Sequence, residues 1–208
     1  MPLSSPGLPV SLVLEGHPCL VVGGGAIAAR KATALLEAAA SVTMVAPRFS
    51  PAATALPLRR AARPYRSGEA AEFHLVIAAT GVAEVDAAVA ADAEGAGVLV
   101  NVADDPEHCS FILPAVHREG HLSVAVSTDG YSPALASWLR DHLAADLGGE
   151  MGPLTERVAA LRQALLAAGA ASEGRDWRAL IDSLATAAAP DAVAAEWLER
   201  QLTATVRG

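Results

Sequence analysis

Aromatic residues are scarce in this chain: Phe, Trp and Tyr make up 4% of its 208 residues, although hydrophobic residues make up 52%. The sequence therefore predicts a folded core built mainly from aliphatic side chains and alanine. Basic residues are also few: the chain has 15 Lys and Arg residues and 23 Asp and Glu residues, which gives a formal net charge of −8. That balance argues against general nucleic-acid binding, which draws most of its affinity from a basic face.

Cysteine and long apolar runs are nearly absent. The two cysteines, Cys19 and Cys109, are too few for a disulfide framework, so we expect free thiols in a reducing cytoplasm. Residues 1–18 lack the basic start of a secretory signal peptide, and no apolar run approaches the ~20 residues of a membrane-spanning helix. We therefore expect no membrane association. No HxxxH, HExxH or CxxC spacing occurs, so no permanent metal site is expected.

Strand and helix signals alternate along the first half of the chain. Apolar β-rich runs at 18–22, 41–46, 73–79 and 98–102 alternate with helix-compatible stretches at 26–39 and 82–94. Such near-continuous apolar runs are typical of parallel strands that are buried on both faces. The pattern predicts an α/β fold with a Rossmann-like, doubly wound parallel sheet. Residues 48–70 are predicted to be irregular, and Arg30 and Lys31 to begin the polar face of the first helix.

The alternation ends after residue 106. β segments at 111–116 and 121–127 predict an antiparallel hairpin, and Ser132-Pro133 predicts the start of a helix that runs to about Leu147. Only helical signals follow, at 153–168, 174–187 and 191–203. The predicted organisation is therefore an α/β domain over 1–113, a hairpin-plus-helix unit over 114–149 and a small all-helical domain over 150–208.

A glycine turn follows the first predicted strand. The segment Gly23-Gly24-Gly25-Ala26-Ile27-Ala28 fits the pattern G-x-G-x-x-A. In this pattern Gly23 permits the tight turn, Gly25 lets a pyrophosphate approach, and Ala28 allows close packing of helix on strand. Because the motif follows a predicted strand and opens a predicted helix, it predicts a dinucleotide site at the helix N-terminus. The alternative is a glycine turn that only shapes the fold.

The acidic residue that usually completes this dinucleotide fingerprint is missing. No Asp or Glu occurs between Glu37 and Glu69, and the second strand ends instead in Ala46-Pro47-Arg48. Arg48 either meets a 2′-phosphate, which would suit NADP, or is a solvated loop arginine. We expect a nicotinamide dinucleotide, and the choice between NAD and NADP stays open.

Polar residues follow two further predicted strands, at Thr80-Gly81 and at Asn101–Asp105. Ligands of open α/β sheets bind beyond the carboxyl ends of the strands, so both segments are expected beside the cofactor, with Thr80 in contact with it. A carboxylate of Asp104 or Asp105 would be suited to take a proton from a substrate that gives up hydride. The alternative is that Asp105-Pro106 is only a turn and Asp104 a cap.

Several segments together resemble a known family, in the order VVGGGAIAARKA, VIAAT at 76–80, NVADDPEHCSFILPA at 101–115 and VAVSTDGYSPALASWLR at 124–140. They are similar to the precorrin-2 dehydrogenase/sirohydrochlorin ferrochelatase family, which includes the N-terminal half of sirohaem synthases. The likeness covers about residues 10–145. It implies NAD-dependent oxidation of precorrin-2 to sirohydrochlorin, and in many members insertion of Fe2+ to give sirohaem.

The resemblance also assigns roles to residues of this chain. The essential carboxylate of the family matches Asp104. The cofactor-contacting positions of the family fall on Gly23, Gly24, Gly25, Ala26, Ile27, Pro47 and Arg48. Family members also commonly lack the ribose-binding acid. The family forms a homodimer through the hairpin-and-helix unit, here the dimerisation region 114–149, which would place residues of both chains around the tetrapyrrole.

The substrate implied by the resemblance carries eight carboxylates and needs a basic rim. Arg118, His121, His117 and Arg140 are candidates for that rim, and Ser127, Thr128 and Ser132 lie where helix N–H groups would receive carboxylates. Two other functions stay open. One is a non-catalytic module that senses NAD, and the other is a chelatase that has lost its cofactor. The sequence leaves open whether the product serves sirohaem or a cobalamin route.

Overall fold

The computed structural model describes residues 6–206, which fall into two compact units. The first unit runs up to Leu113 and also takes in Ser127–Pro133; the second consists of Pro114–Val126 and the chain from Ala134 onward. The first unit is built on a parallel five-stranded sheet of order β3-β2-β1-β4-β5. Its strands are β1 Pro18–Val22, β2 Ser41–Ala46, β3 Arg59–Ala62, β4 Leu75–Ala78 and β5 Leu99–Val102. Its helices are α1 Ala26–Glu37, α2 Pro51–Ala55 and α3 Ala83–Gly95.

The central strands of this sheet are buried on both faces. Along β1, Cys19 and Val21 pack in an apolar cluster with helix α1, whereas Leu20 and Val22 pack in a second cluster with helix α3. Successive side chains of a strand point to opposite faces, so a continuous apolar run is what a sheet covered on both sides requires. The predicted Rossmann-like fold class is confirmed. Strand order reverses between β1 and β4, which creates a crevice at their carboxyl ends.

One prediction for this unit is wrong. Residues 48–70 are not irregular, because they contain α2, the strand β3 and a 3-10 helix, Glu69–Glu72. Strand β3 pairs with β2 at the edge of the sheet, with Arg59 opposite Thr43 and Arg60 opposite Met44. An edge strand with exposed arginines is held mainly by main-chain hydrogen bonds, so it leaves no apolar run for sequence reasoning to detect.

The second unit contains a hairpin and helices, as predicted, but the first strand of the hairpin lies further along the chain than the predicted 111–116. Strands β6 Ala115–Glu119 and β7 Leu122–Val126 are antiparallel, and the chain continues in helices α4 Pro133–Leu147, α5 Met151–Ala167, α6 Trp177–Thr186 and α7 Pro190–Val206. Helices α5, α6 and α7 share an apolar core that includes Leu161, Leu165, Leu180, Leu184 and Trp197. Within residues 6–206, no helix combines the length and the apolar character needed to cross a membrane.

Candidate functional site

The glycine turn lies directly beyond β1, at the point where the strand order reverses. Gly23 has φ of 130°, a conformation that favours glycine, and its N–H donates to the carbonyl of Val45 at 2.9 Å. A Cβ atom on Gly23 would collide with the main-chain carbonyl of Ala79, which follows β4. The turn is therefore packed between the ends of its two neighbouring strands.

Gly24 is required by a contact that sequence reasoning did not find. A Cβ atom on Gly24 would collide with the carbonyl oxygen of Arg48, and the N–H of Ser50 donates to the Gly24 carbonyl at 2.8 Å. The loop after β2 is thereby fastened to the glycine turn. Pro47 and Arg48 both lie on this loop with exposed side chains, at the edge where the sequence predicts cofactor contacts.

Gly25 differs from its two neighbours because no protein atom lies within 4 Å of the position of an added Cβ. It is the N-cap of α1, no side chain caps that helix, and the first turn, which carries Ala26 and Ile27, contains no acidic residue. The first N–H groups of an uncapped helix attract anions, and open space over Gly25 lets a ligand approach the backbone. These residues fit the pyrophosphate of a dinucleotide.

Thr80 lies just after β4 and is held by a buried carboxylate. Both the main-chain N–H and the hydroxyl of Thr80 donate to Oδ1 of Asp86, at 3.1 and 2.8 Å, and Asp86 is 7% exposed. The N–H of Val82 in turn donates to the Thr80 hydroxyl at 3.0 Å. The first turn of α3 therefore fixes the loop that borders the crevice.

Asp104 and Asp105 follow β5 and differ in their surroundings. Asp104 is exposed and adopts φ of 61°, a left-handed conformation that is uncommon outside glycine. The Asp105 carboxylate is instead engaged by Nδ1 of His108 at 2.7 Å. The Asp105 side chain is still 42% exposed, so what distinguishes the two carboxylates is the contact of Asp105 with His108. The catalytic role of Asp104 stays a prediction.

The sequence predicts that Arg30 and Lys31 begin the polar face of α1; Arg30 is exposed there, whereas Lys31 is only partly exposed. Its Nζ donates to Oδ1 of Asn101 on β5 at 2.8 Å, and Asn101 is 4% exposed. Burial lowers the pKa of Lys31 from 10.5; Cys109 and Asp104 act to raise it, and Arg30 to lower it. Burial also raises the pKa of the Cys109 thiol, against which Lys31 acts. A long-range contact of this kind has no local signal in the sequence.

The residues predicted to bind substrate fall in both units. The loop that carries Ser127, Thr128 and Ser132 belongs to the first unit, and its hydroxyls bond within the loop: Asp129 N–H to Ser127 Oγ at 3.1 Å and Ser132 N–H to Thr128 Oγ1 at 3.0 Å. Helix α4 begins at Pro133, as predicted.

Arg118 and His121 belong to the hairpin of the second unit. Arg118 donates to the Ser123 hydroxyl at 2.7 Å, and His121 is 3.7 Å from a Glu156 carboxylate oxygen with its side chain 84% exposed. Their predicted contact with substrate stays a prediction. Across residues 6–206, no group of three or more His, Cys, Asp or Glu side chains is arranged to hold a metal ion.

Comparison with known proteins agrees with the geometry of the glycine turn. Residues 10–115 match the model of a family of NAD(P)-binding domains. The chain belongs to this family. Residues 119–145 match a second model, described as the central part of a sirohaem biosynthesis protein. The resemblance inferred from the sequence motifs is thereby confirmed, and so is the expectation of a nicotinamide dinucleotide domain.

Curated relatives carry the name siroheme synthase. The protein of Methylobacillus flagellatus is 41% identical over 162 residues, which cover 76% of this chain and 35% of the relative. Siroheme synthase 3 of Aeromonas hydrophila is 37% identical over 181 residues, 84% of this chain and 38% of the relative. The chain thus spans about a third of the length of these relatives.

A solved structure named SirC, precorrin-2 dehydrogenase, has the same fold. The two chains superpose with a TM-score of 0.70 at 24% sequence identity, over 95% of this chain and 99% of the other. The likeness therefore extends through the helices of the second unit, where the sequence motifs give no guidance.

Proposed function

We propose that the chain binds NAD at its glycine turn and dehydrogenates precorrin-2 to sirohydrochlorin, in a route to sirohaem or cobalamin. One observation carries the proposal. Asp104, which is exposed and has a left-handed backbone conformation, lies beyond the carboxyl ends of the parallel strands, as does the uncapped start of α1 at Gly25. Similarity to siroheme synthases over 76% of the chain supports the substrate.

The proposed reaction divides its work between the cofactor and the protein. NAD, when bound, would supply the acceptor for the hydride that precorrin-2 loses. The Asp104 carboxylate takes the proton that the substrate releases, so that one hydride and one proton are removed for each new double bond. The N–H groups at the start of α1 would hold the pyrophosphate, and Thr80, fixed by Asp86, borders the crevice just beyond β4.

The choice of NAD over NADP and the means of substrate binding belong to the same proposal. Arg48 is exposed beside the glycine turn, where a ribose would lie, so titration with NAD and NADP decides between a 2′-hydroxyl and a 2′-phosphate.

We propose that the substrate carboxylates meet Arg118, His121 and the loop of Ser127, Thr128 and Ser132. Fe2+ would be a second substrate in a chelatase step.

We also propose a homodimer formed through residues 114–149. Helix α4 and the turn before it expose several large apolar side chains, and monomeric proteins rarely expose such side chains together. Their exposed fractions are 72% for Tyr131, 52% for Leu135, 55% for Trp138 and 38% for Leu139. Light scattering on the intact chain measures the mass, and Trp138→Glu should shift it towards the monomer. The cytoplasmic location stays a prediction that rests on two free cysteines.

An anaerobic assay with precorrin-2 and NAD, followed by absorbance, tests the main proposal. We expect NADH and sirohydrochlorin in equal amounts, and a loss of about 10²-fold or more in Asp104→Asn. Asp105→Asn is the matched control and should keep most of the rate. Binding of NAD without turnover would favour the sensing module. Metallation of sirohydrochlorin by Fe2+ or Co2+ without NAD binding would favour the chelatase alone.

A further inference from the structure

Lys31 is the only lysine among the 15 lysine and arginine residues of the chain. Arginine presents a planar fork of donors, whereas lysine presents a compact ammonium at the end of a flexible stem. The chain therefore uses guanidinium groups everywhere else and a compact ammonium at this one position. The contacts of that ammonium indicate what it does.

The ammonium of Lys31 joins the first helix to the fifth strand. Its Nζ lies 2.8 Å from Oδ1 of Asn101, and the Asn101 side-chain amide donates to the carbonyl of Phe111 at 3.0 Å. Asn101 is 4% exposed, so its carbonyl and amide are fully committed to these protein partners. Through Asn101, Lys31 holds both ends of the segment 101–111, on which Asp104 lies.

The same segment is closed by Cys109. Its sulfur accepts from the N–H of Val102 at 3.1 Å and donates to the carbonyl of Asp105 at 3.2 Å. The chain from Asn101 to Phe111 is thus folded back on β5, and Asp104 stands in this fold with φ of 61°. A non-glycine residue keeps a left-handed backbone conformation only when its surroundings hold it there.

Within the described part of the chain, no salt bridge is formed by the ammonium of Lys31. Among residues 6–206, the hydrogen-bond partner of its ammonium is the neutral Asn101, and the titratable groups that act on its pKa are Cys109, Arg30 and Asp104. Lys31 is only partly exposed, and even partial burial of an ammonium that has no ion pair costs free energy, so its retention calls for a role. Asp104 is the carboxylate among the groups that act on it.

We propose that Lys31 is a positioning residue for Asp104: through its hydrogen bond to Asn101 it holds in place the segment 101–111, on which Asp104 lies. This inference rests on the proposed role of Asp104 as proton acceptor. It adds to that role a second charge, supplied by the helix that also carries the cofactor-binding turn. Lys31 itself needs no contact with substrate.

A single lysine makes the coupling directly measurable. Lysine labelled with 15N at Nζ gives one side-chain signal, whose pH titration needs neither substrate nor cofactor. We expect the pKa of Lys31 to lie below its ordinary 10.5, and to fall further in Asp104→Asn, because that carboxylate acts to raise it. The control Asp105→Asn removes the adjacent carboxylate and should leave the titration unchanged. A Lys31 that titrates at its ordinary value, and does not respond to Asp104→Asn, overturns the proposal.

The kinetic test compares two neighbouring cations of one helix. Lys31→Met should lower kcat for precorrin-2 oxidation by on the order of tenfold and leave the Kd for NAD within about twofold. Arg30→Met removes the same charge from an exposed position and should leave kcat unchanged. Equal kcat in the two variants overturns the positioning role.

The two tests separate this inference from the proposed function. If the wild-type chain does not oxidise precorrin-2, the proposed function fails, while the titration still decides whether Lys31 and Asp104 are coupled. Circular dichroism shows whether Lys31→Met folds. If it does not, the titrations of Lys31 in wild type and in Asp104→Asn test the coupling without this variant.

Discussion

The hydroxyl oxygen of Thr80 lies 2.8 Å from Oδ1 of Asp86, a carboxylate that is almost wholly buried in the first turn of α3. The main-chain N–H of Thr80 donates to the same oxygen at 3.1 Å. A carboxylate that accepts two hydrogen bonds at a helix start is satisfied both by those donors and by the helix dipole. The loop that borders the dinucleotide crevice is thus anchored by a buried carboxylate of the neighbouring helix.

Asp86→Ala should weaken both the fold and NAD binding. The substitution leaves the part-buried Thr80 N–H without its acceptor, which costs about 1 kcal/mol or more of unfolding free energy. Because the Thr80 loop then loses its anchor, we expect the Kd for NAD to rise severalfold. Urea unfolding followed by circular dichroism and calorimetric titration with NAD measure the two effects.

The matched control for Asp86 is Glu84→Ala. Glu84 occupies the same first turn of α3 but is exposed, so its loss should change stability by no more than about 0.5 kcal/mol. If Glu84→Ala proves as damaging as Asp86→Ala, then the helix dipole, and not the bond to Thr80, holds the loop.

Gly24→Ala and Gly25→Ala should separate folding from cofactor binding. A Cβ on Gly24 collides with the main chain of Arg48, so we expect a loss of about 1–3 kcal/mol in unfolding free energy. A Cβ on Gly25 meets no protein atom within 4 Å, and its φ of −81° suits alanine. Gly25→Ala should therefore fold normally and bind NAD at least ~tenfold more weakly, since the methyl group occupies the pyrophosphate approach. Normal NAD affinity in Gly25→Ala would place the dinucleotide elsewhere.

Sequence reasoning succeeded where the physical signal is local or periodic. The apolar runs of β1, β2, β4 and β5 indicate strands that are buried on both faces of a sheet. The glycine motif predicts the turn in which it lies. Strand β3 has no such signal, because Arg59 and Arg60 lie at an exposed edge. Order at an edge comes from pairing with β2, which no pattern within residues 59–62 encodes.

The candidate site was predictable only in part for a related reason. Motif spacing placed Gly23, Thr80 and Asp104 just after three strands. Because these strands are parallel, their carboxyl ends lie along the same side of the sheet. The hydrogen bond between Lys31 and Asn101 joins residues 70 positions apart. A helical pattern assigns a lysine to the polar face of the helix and cannot predict such a distant partner. The left-handed φ of Asp104 is likewise set by the folded segment around it, since aspartate adopts that conformation only occasionally.

Asp104→Gly should stabilise the fold while it abolishes the proposed chemistry. Glycine adopts φ of 61° without steric cost, so the variant should gain up to about 1 kcal/mol in unfolding free energy, less the entropy cost of a more flexible chain. Asp104→Ala removes the same carboxylate and keeps the strain, so it should be the less stable of the two. Urea unfolding of the pair measures the difference, and equal stability would mean that the φ of Asp104 carries no strain.

Glu119 should make the second unit sensitive to acid. Its carboxylate lies 2.9 Å from Nε2 of His117 and accepts the N–H groups of Met151 and Gly152, at 3.1 and 3.2 Å, at the start of α5. The bond to His117 is the largest cause that lowers the pKa of Glu119 from 4.5, helped by the two main-chain bonds against desolvation. A carboxyl whose pKa is lowered in the folded state stabilises the fold above its unfolded pKa, and this stabilisation is lost as the pH falls through the folded pKa.

Glu119→Gln should therefore lower the melting temperature of the second unit at pH 7, and the difference from wild type should shrink below about pH 4. All three tryptophans of the chain, Trp138, Trp177 and Trp197, lie in this unit, so their fluorescence reports its melting selectively. Glu156→Gln is the control, because that carboxylate is 59% exposed and 3.7 Å from His121. A melting difference for Glu119→Gln that stays constant from pH 3 to pH 8 would show that shape, and not the charge of the carboxylate, holds the start of α5.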